Sequence, residues 1–162
     1  MAHPFTAVRT ALALAAIAAT AALLAGCTAS TVSLDPAPDA NDPLCADIIV
    51  RLPDAVDGQE RRWTDAQATG AWGDPAAVLL TCGVTPPGPT EAQCIEIGGV
   101  DWIVDDSQEP NYLITTYGRT PAVQLFVDNE RVSPNDVLAA MAPHVVEFPQ
   151  DAACVGTQTR LP

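Results

Sequence analysis

A chain of 162 residues is long enough for one ordinary domain, and 20 acidic side chains against 7 basic ones leave it at a formal charge of −13. It contains no lysine, so little on it could replace the counterions of a phosphate backbone, which excludes nucleic acid as a partner and opposes adsorption to bare anionic lipid.

The N-terminus reads as an export signal. Arg9 and the amino terminus give a short positive end, and an apolar, alanine-rich run follows from Ala11 to Leu24. That run falls short of the roughly 20 residues that cross a bilayer comfortably. It ends in Leu24-Ala25-Gly26-Cys27, a string that resembles a lipobox, in which the thiol receives a diacylglycerol and cleavage makes Cys27 the new first residue. An ordinary signal peptide with a chance cysteine, or an uncleaved anchor, is the competing reading. Residues 1–26 are therefore expected to be a lipoprotein signal, and the protein is expected at the cell membrane, on its extracytoplasmic face. Cleavage would remove Arg9 and no acidic residue, leaving a formal charge near −14. Residues 27–41 are polar, proline-containing and aperiodic after the cysteine, and read as a flexible tether. The domain is then residues 42–162.

Asp42 can cap a helix with Pro43 at its first position, and Cys45, Ile48, Ile49 and Leu52 follow at helical spacing until Pro53 ends it. The middle of the chain is strand-like. Ala76–Cys82 is a continuous apolar run, Val100, Trp102 and Val104 alternate with Asp101, Ile103 and Asp105, and Tyr112–Tyr117 and Ala122–Val127 are rich in β-branched and aromatic residues. Gly98-Gly99, residues 106–111 and Gly118-Arg119-Thr120-Pro121 supply turns close enough together to favour antiparallel pairing. Ser133, Pro134 and Asp136 open a second helix, which Pro143 is expected to close. The pattern predicts an α+β fold: an antiparallel β-meander sheet flanked by an N-terminal and a C-terminal helix.

Past Cys27, four cysteines remain: Cys45, Cys82, Cys94 and Cys154. An even count in an exported chain favours two disulfides, with three pairings open. No Cys-x-x-Cys pair suggests zinc. The expected pairing is Cys82 with Cys94, because Pro86-Pro87-Gly88-Pro89 between them can reverse the chain, and Cys45 with Cys154, tying the two ends of the domain.

Little in the sequence announces catalysis. Beyond the signal, His144 is the one histidine, just after Pro143, and the chain has no Gly-x-Ser-x-Gly elbow, no His-Glu-x-x-His motif and no glycine-rich phosphate loop. No cofactor or metal is implied. Asp105, Asp106 and Glu109 could offer oxygens to calcium, but their spacing is not that of an EF-hand, and a solvated turn is the simpler reading. Arginine is scarce, which singles out Arg61-Arg62-Trp63 and Arg119; each is expected to pair with carboxylates on the surface. The sharper reading gives Arg119 a carboxylate or other anion held bidentately beside Tyr117, with Trp72 completing a candidate ligand pocket.

Ala71-Trp72-Gly73-Asp74-Pro75 followed by Val78-Leu79-Leu80-Thr81-Cys82-Gly83-Val84, then Gly99-Val100-Asp101-Trp102 and Thr115–Val123, together resemble the signature blocks of the DUF3515 family of actinobacterial lipoproteins. The resemblance covers roughly residues 42–154. Where the pattern carries an arginine before Cys-Gly-Val, this chain has Thr81, so no cation is implied there. The family implies an exported, membrane-attached protein at the envelope and supplies no catalytic residue. The lysine-free, Ala- and Asp-rich composition fits a GC-rich actinobacterial genome. The expected function is a non-enzymatic binding or accessory module of the cell envelope, with an envelope protein or ligand as partner. A hydrolase or transferase acting on envelope material is the alternative.

Overall fold

The computed structural model describes residues 31–156 and 160–161; the expected signal and Cys27 lie outside them. Helix α1 spans Pro43–Arg51 and helix α2 spans Pro134–Val145. Each begins where a side chain satisfies an orphan amide: Asp42 accepts from the N–H of Leu44 at 2.8 Å, and Ser133 from that of Asp136 at 3.3 Å. Pro143 does not close α2, as its sequence suggested. The helix runs two residues further, because Val145 is fully buried and the Val146 N–H still bonds to Ala142 O at 2.9 Å.

Between the helices lie β1 (Ala55–Val56), β2 (Gln59–Arg62), β3 (Thr69–Trp72), β4 (Val78–Val84), β5 (Gln93–Ile97), β6 (Val100–Gln108), β7 (Asn111–Thr116) and β8 (Ala122–Asp128). They form one antiparallel sheet in the order β1-β2-β3-β4-β8-β7-β6-β5. The α+β class and the meander character expected from the sequence are therefore correct, with one addition. The sheet is two meanders, β1–β4 and β5–β8, joined where β4 pairs with β8. The β4–β5 connection accordingly crosses to the far edge of the sheet, past β8, β7 and β6.

Strand alternation sets the two faces. Leu80, Leu125, Ile114 and Val104 are cross-strand partners in one row, and Val78 and Val127 in the next; all are buried. Trp72 and Trp102 lie on this face too, fully buried, and each indole N–H finds a main-chain carbonyl, Pro53 O at 3.0 Å and Ile97 O at 3.4 Å. Gly70 leaves room for the Trp72 ring, since a Cβ there would stand 3.0 Å from both the ring and Leu52. Helix α2 covers this face through Val137, Leu138, Met141 and Val145, packing against β5, β8, β1 and α1. The opposite face presents Leu79, Phe126 and Leu113 in one row and Thr81, Gln124, Thr115 and Ile103 in the next, all half-buried.

The segment read as a free tether is largely part of the fold. Val32 pairs with Thr64, the Leu34 N–H donates to Asp65 at 2.9 Å, the Asp39 N–H donates to Gly83 O at 3.0 Å, and Ala40 is buried. Composition missed this because the bonds are made by main chain, which has no sequence signature. Gly83 is what lets residues 39–40 approach. It has φ +90° at a register shift in β4, and a Cβ there would overlap the Asp39 carbonyl. Gly83→Ala is therefore expected to destabilise the domain by about 2 kcal/mol. It should also speed proteolytic clipping within residues 31–41; unchanged clipping and stability would show that this docking is unimportant.

Candidate functional site

Trp72, Tyr117 and Arg119 do not form the pocket expected of them. Trp72 pairs through Val78 and Val127 toward Tyr112, at one end of the sheet, whereas Tyr117 and Arg119 follow the other end of β7. Trp72 is sealed in the core. Arg119 is only 3% exposed, its Nε is buried without a partner among the described residues, and its two terminal nitrogens are taken up by three main-chain carbonyls and one side chain: Nη1 donates to Val146 O and Phe148 O, each at 2.7 Å, and Nη2 to Gly99 O at 2.9 Å and Gln150 Oε1 at 3.4 Å. Burial lowers its pKa from the usual guanidinium value, while the carboxylates of Asp101 and Glu147 act the other way. Arg119 is thus a buried brace. It ties the end of α2 and the chain beyond it to the β5–β6 turn, and it presents no free fork to an anion.

The other arginines behave alike. Arg61 donates to Ile49 O at 3.0 Å and Leu52 O at 3.1 Å, satisfying carbonyls at the C-terminal end of α1. Arg62 bonds to Gly73 O and to Asp74, both at 3.0 Å, and Arg131 reaches Pro75 O and Gln59. Carboxylate pairing, expected of each arginine in so acidic a chain, is seen at Arg51–Asp47 and Arg62–Asp74. Cations here chiefly hold main-chain carbonyls.

Both expected disulfides are wrong in their pairing, although all four cysteines are bridged. Cys45 joins Cys82 and Cys94 joins Cys154, with Cα–Cα distances of 5.5 and 6.4 Å. The sheet order explains the error. Cys82 points into the core under α1, while Cys94 sits on the opposite face, in an edge strand with β8, β7 and β6 between the two. The proline-rich loop is a crossover, and no local reversal brings these sulfurs together. Cys45 fixes α1 to the sheet; Cys154 fixes the C-terminal segment to β5, aided by its N–H donating to Asp101 at 2.8 Å. Cys94, Asp101 and Cys154 are the one cluster of metal-ligand types among the described residues, and the disulfide occupies both sulfurs.

His144 lies in the last turn of α2, half-buried, and burial together with the nearby Arg51 cation lowers its pKa. Asp105, Asp106 and Glu109 are all exposed around the β6–β7 hairpin; Asp105 has a lowered pKa because the Ser107 hydroxyl and N–H bond to it.

Two sizeable concavities among the described residues bear on a ligand site. One, of about 670 Å³, lies at the β5–β6 edge on the open face, with Tyr117, Ile103 and the Cys94–Cys154 bridge along its wall and Glu91 on its rim. Of the three candidate ligand residues, Tyr117 alone lines it. The other, of about 700 Å³, lies at the opposite edge of the sheet and is lined by Val50, Ile49, Ala66, Arg61, Arg62 and Trp63, among others. Periodicity could not place this second groove, whose sequence signal was the Arg61-Arg62-Trp63 string.

No helix among the described residues is long and apolar enough to cross a membrane. A family model described as "Protein of unknown function (DUF3515)" matches residues 4–153. No curated protein and no solved structure matches the chain.

Proposed function

Because the chain belongs to the DUF3515 family, whose signature blocks build β3, β4 and the β7–β8 corner of this sheet, we propose that it is an exported actinobacterial lipoprotein. Cys27 carries the lipid, the domain works on the extracytoplasmic face of the cell membrane, and it serves the envelope as a non-enzymatic binding or accessory module. The observation that carries this reading is one of position. Val32, five residues past Leu24-Ala25-Gly26-Cys27, is already bonded to the domain, and two disulfides close the domain, as suits an oxidising compartment. The groove beside Tyr117 is the ligand site in this reading. It combines a phenol, an apolar wall and a carboxylate rim, which suits a small ligand or a peptide segment carrying an apolar group and a hydrogen-bonding edge.

Cys27→Ser tests the anchor. Two acyl chains hold a protein stably, at about 0.8 kcal/mol per buried methylene. The wild-type protein is therefore expected in the membrane fraction, and the variant is expected to lose acylation and leave that fraction. If both proteins are equally membrane-bound and both retain residues 1–26, the lipoprotein reading fails.

A further inference from the structure

Among the described residues, three large apolar side chains stand in solvent: Val50 at 79%, Trp63 at 78% and Val155 at 97% exposure. Val155 belongs to the C-terminal segment beside Tyr117, whereas Val50 and Trp63 line the same groove at the other edge of the sheet. An exposed tryptophan and valine over a largely apolar groove mark a surface meant to be covered.

The path of the chain indicates what covers it. The N-terminal segment enters the fold at this spot: the Val32 N–H donates to Trp63 O at 2.8 Å, Val32 pairs with Thr64, and the Leu34 N–H is held by Asp65. Thr31 therefore lies next to Trp63. Cys27 is four residues earlier, and four residues span at most about 14 Å of extended chain. Because residues 31–41 are bonded to the domain, they add no slack. Charge agrees with this placement. The charged residues lining the groove are Arg61 and Arg62 against Asp54, on a chain with 20 acids to 7 bases. In the groove lining itself cations thus outnumber acids, with Arg62 also paired to Asp74.

We infer that Trp63 and Val50 seat in the headgroup layer of the bilayer to which Cys27 is anchored. This fixes the orientation of the domain and leaves the Tyr117 groove at the edge of the sheet away from the Trp63 groove. The inference rests on the lipoprotein reading above. Tryptophan suits this role, since its ring enters the acyl boundary while its N–H stays among polar headgroups.

The protein carries its own probe. Trp72 and Trp102 are fully buried, so quencher-accessible emission comes from Trp63. Acylated full-length mature protein would be reconstituted into phosphatidylethanolamine/phosphatidylglycerol vesicles, with and without brominated acyl chains, and its acylation scored by the mass of the Cys27 peptide. The expected result is bromolipid quenching and an acrylamide quenching constant about threefold lower than for the Cys27→Ser protein in buffer, as for a ring held at the interface. Trp63→Ser should abolish the bromolipid-dependent part while the protein stays vesicle-bound. Acylated, vesicle-bound protein whose Trp63 stays as open to acrylamide as in buffer overturns the docking and leaves the anchor standing. Shielding seen in native membranes but not in pure lipid vesicles assigns the surface to a protein and also overturns it. A Cys27 peptide without acyl chains overturns the anchor, and the docking with it.

Discussion

Cys45→Ala combined with Cys82→Ala is expected to lower the unfolding free energy by about 4 kcal/mol, the chain-entropy value for a ring closed over a sequence separation of 37. The loss has a second source. Both residues are fully buried where α1 meets the core face of β4, so removing the sulfurs also leaves packing defects beside Ile48 and Leu80. Alanine is the cleaner replacement, because serine would bury two hydroxyls in apolar surroundings. Urea unfolding of the double variant and of the wild type under non-reducing conditions checks this. A loss below about 1 kcal/mol would mean that packing alone holds α1 in place.

Arg119→Met is expected to cost a similar amount, about 4 kcal/mol. The guanidinium is the partner of three main-chain carbonyls, those of Val146, Phe148 and Gly99, and a buried carbonyl left without a donor costs about 1–3 kcal/mol. Met fills the volume and restores none of these bonds. Arg119→Lys keeps the charge, but a compact ammonium cannot span carbonyls on two separate segments, so it should still lose at least about 2 kcal/mol. The damage should be local at first, with faster hydrogen exchange at residues 146–150 and at the Gly98-Gly99 turn. If Arg119→Lys leaves the unfolding midpoint unchanged, the arginine is not the brace described above, and a ligand-holding fork becomes tenable again.

The elements with a local signature were legible in the sequence. The caps at Asp42 and Ser133, the alternation in Val100–Val104 and the β-branched runs of β7 and β8 each declare themselves within a few residues. Strands β1–β3 did not. Gln59-Glu60-Arg61-Arg62 is polar throughout and Thr69-Gly70-Ala71-Trp72 is mostly small, so neither shows a period of two; they are strands because their neighbours pair with them. The disulfides failed for a related reason. Pairing depends on strand order and on which face each cysteine occupies, and nothing near Cys82 shows that β4 neighbours β8 and not β5. Arg119 was correctly placed beside a glycine turn, but its direction was not readable. Gly118, at φ +63°, lets the chain near Ala152 lie so close that any Cβ would overlap the Ala152 carbonyl, and Arg119 turns inward beneath that segment. Trp63 follows β2 in a string whose residue types are visible, while its 78% exposure is a property of the assembled edge.

On this reading the sheet is held at a membrane by Cys27, five residues before the bonded Val32. Mass spectrometry of the N-terminal peptide from protein extracted out of its own membranes tests it most directly. The mature chain is expected to begin at Cys27 and to carry a thioether-linked diacylglycerol. An N-terminus within residues 1–26, or a Cys27 peptide free of lipid, would contradict it.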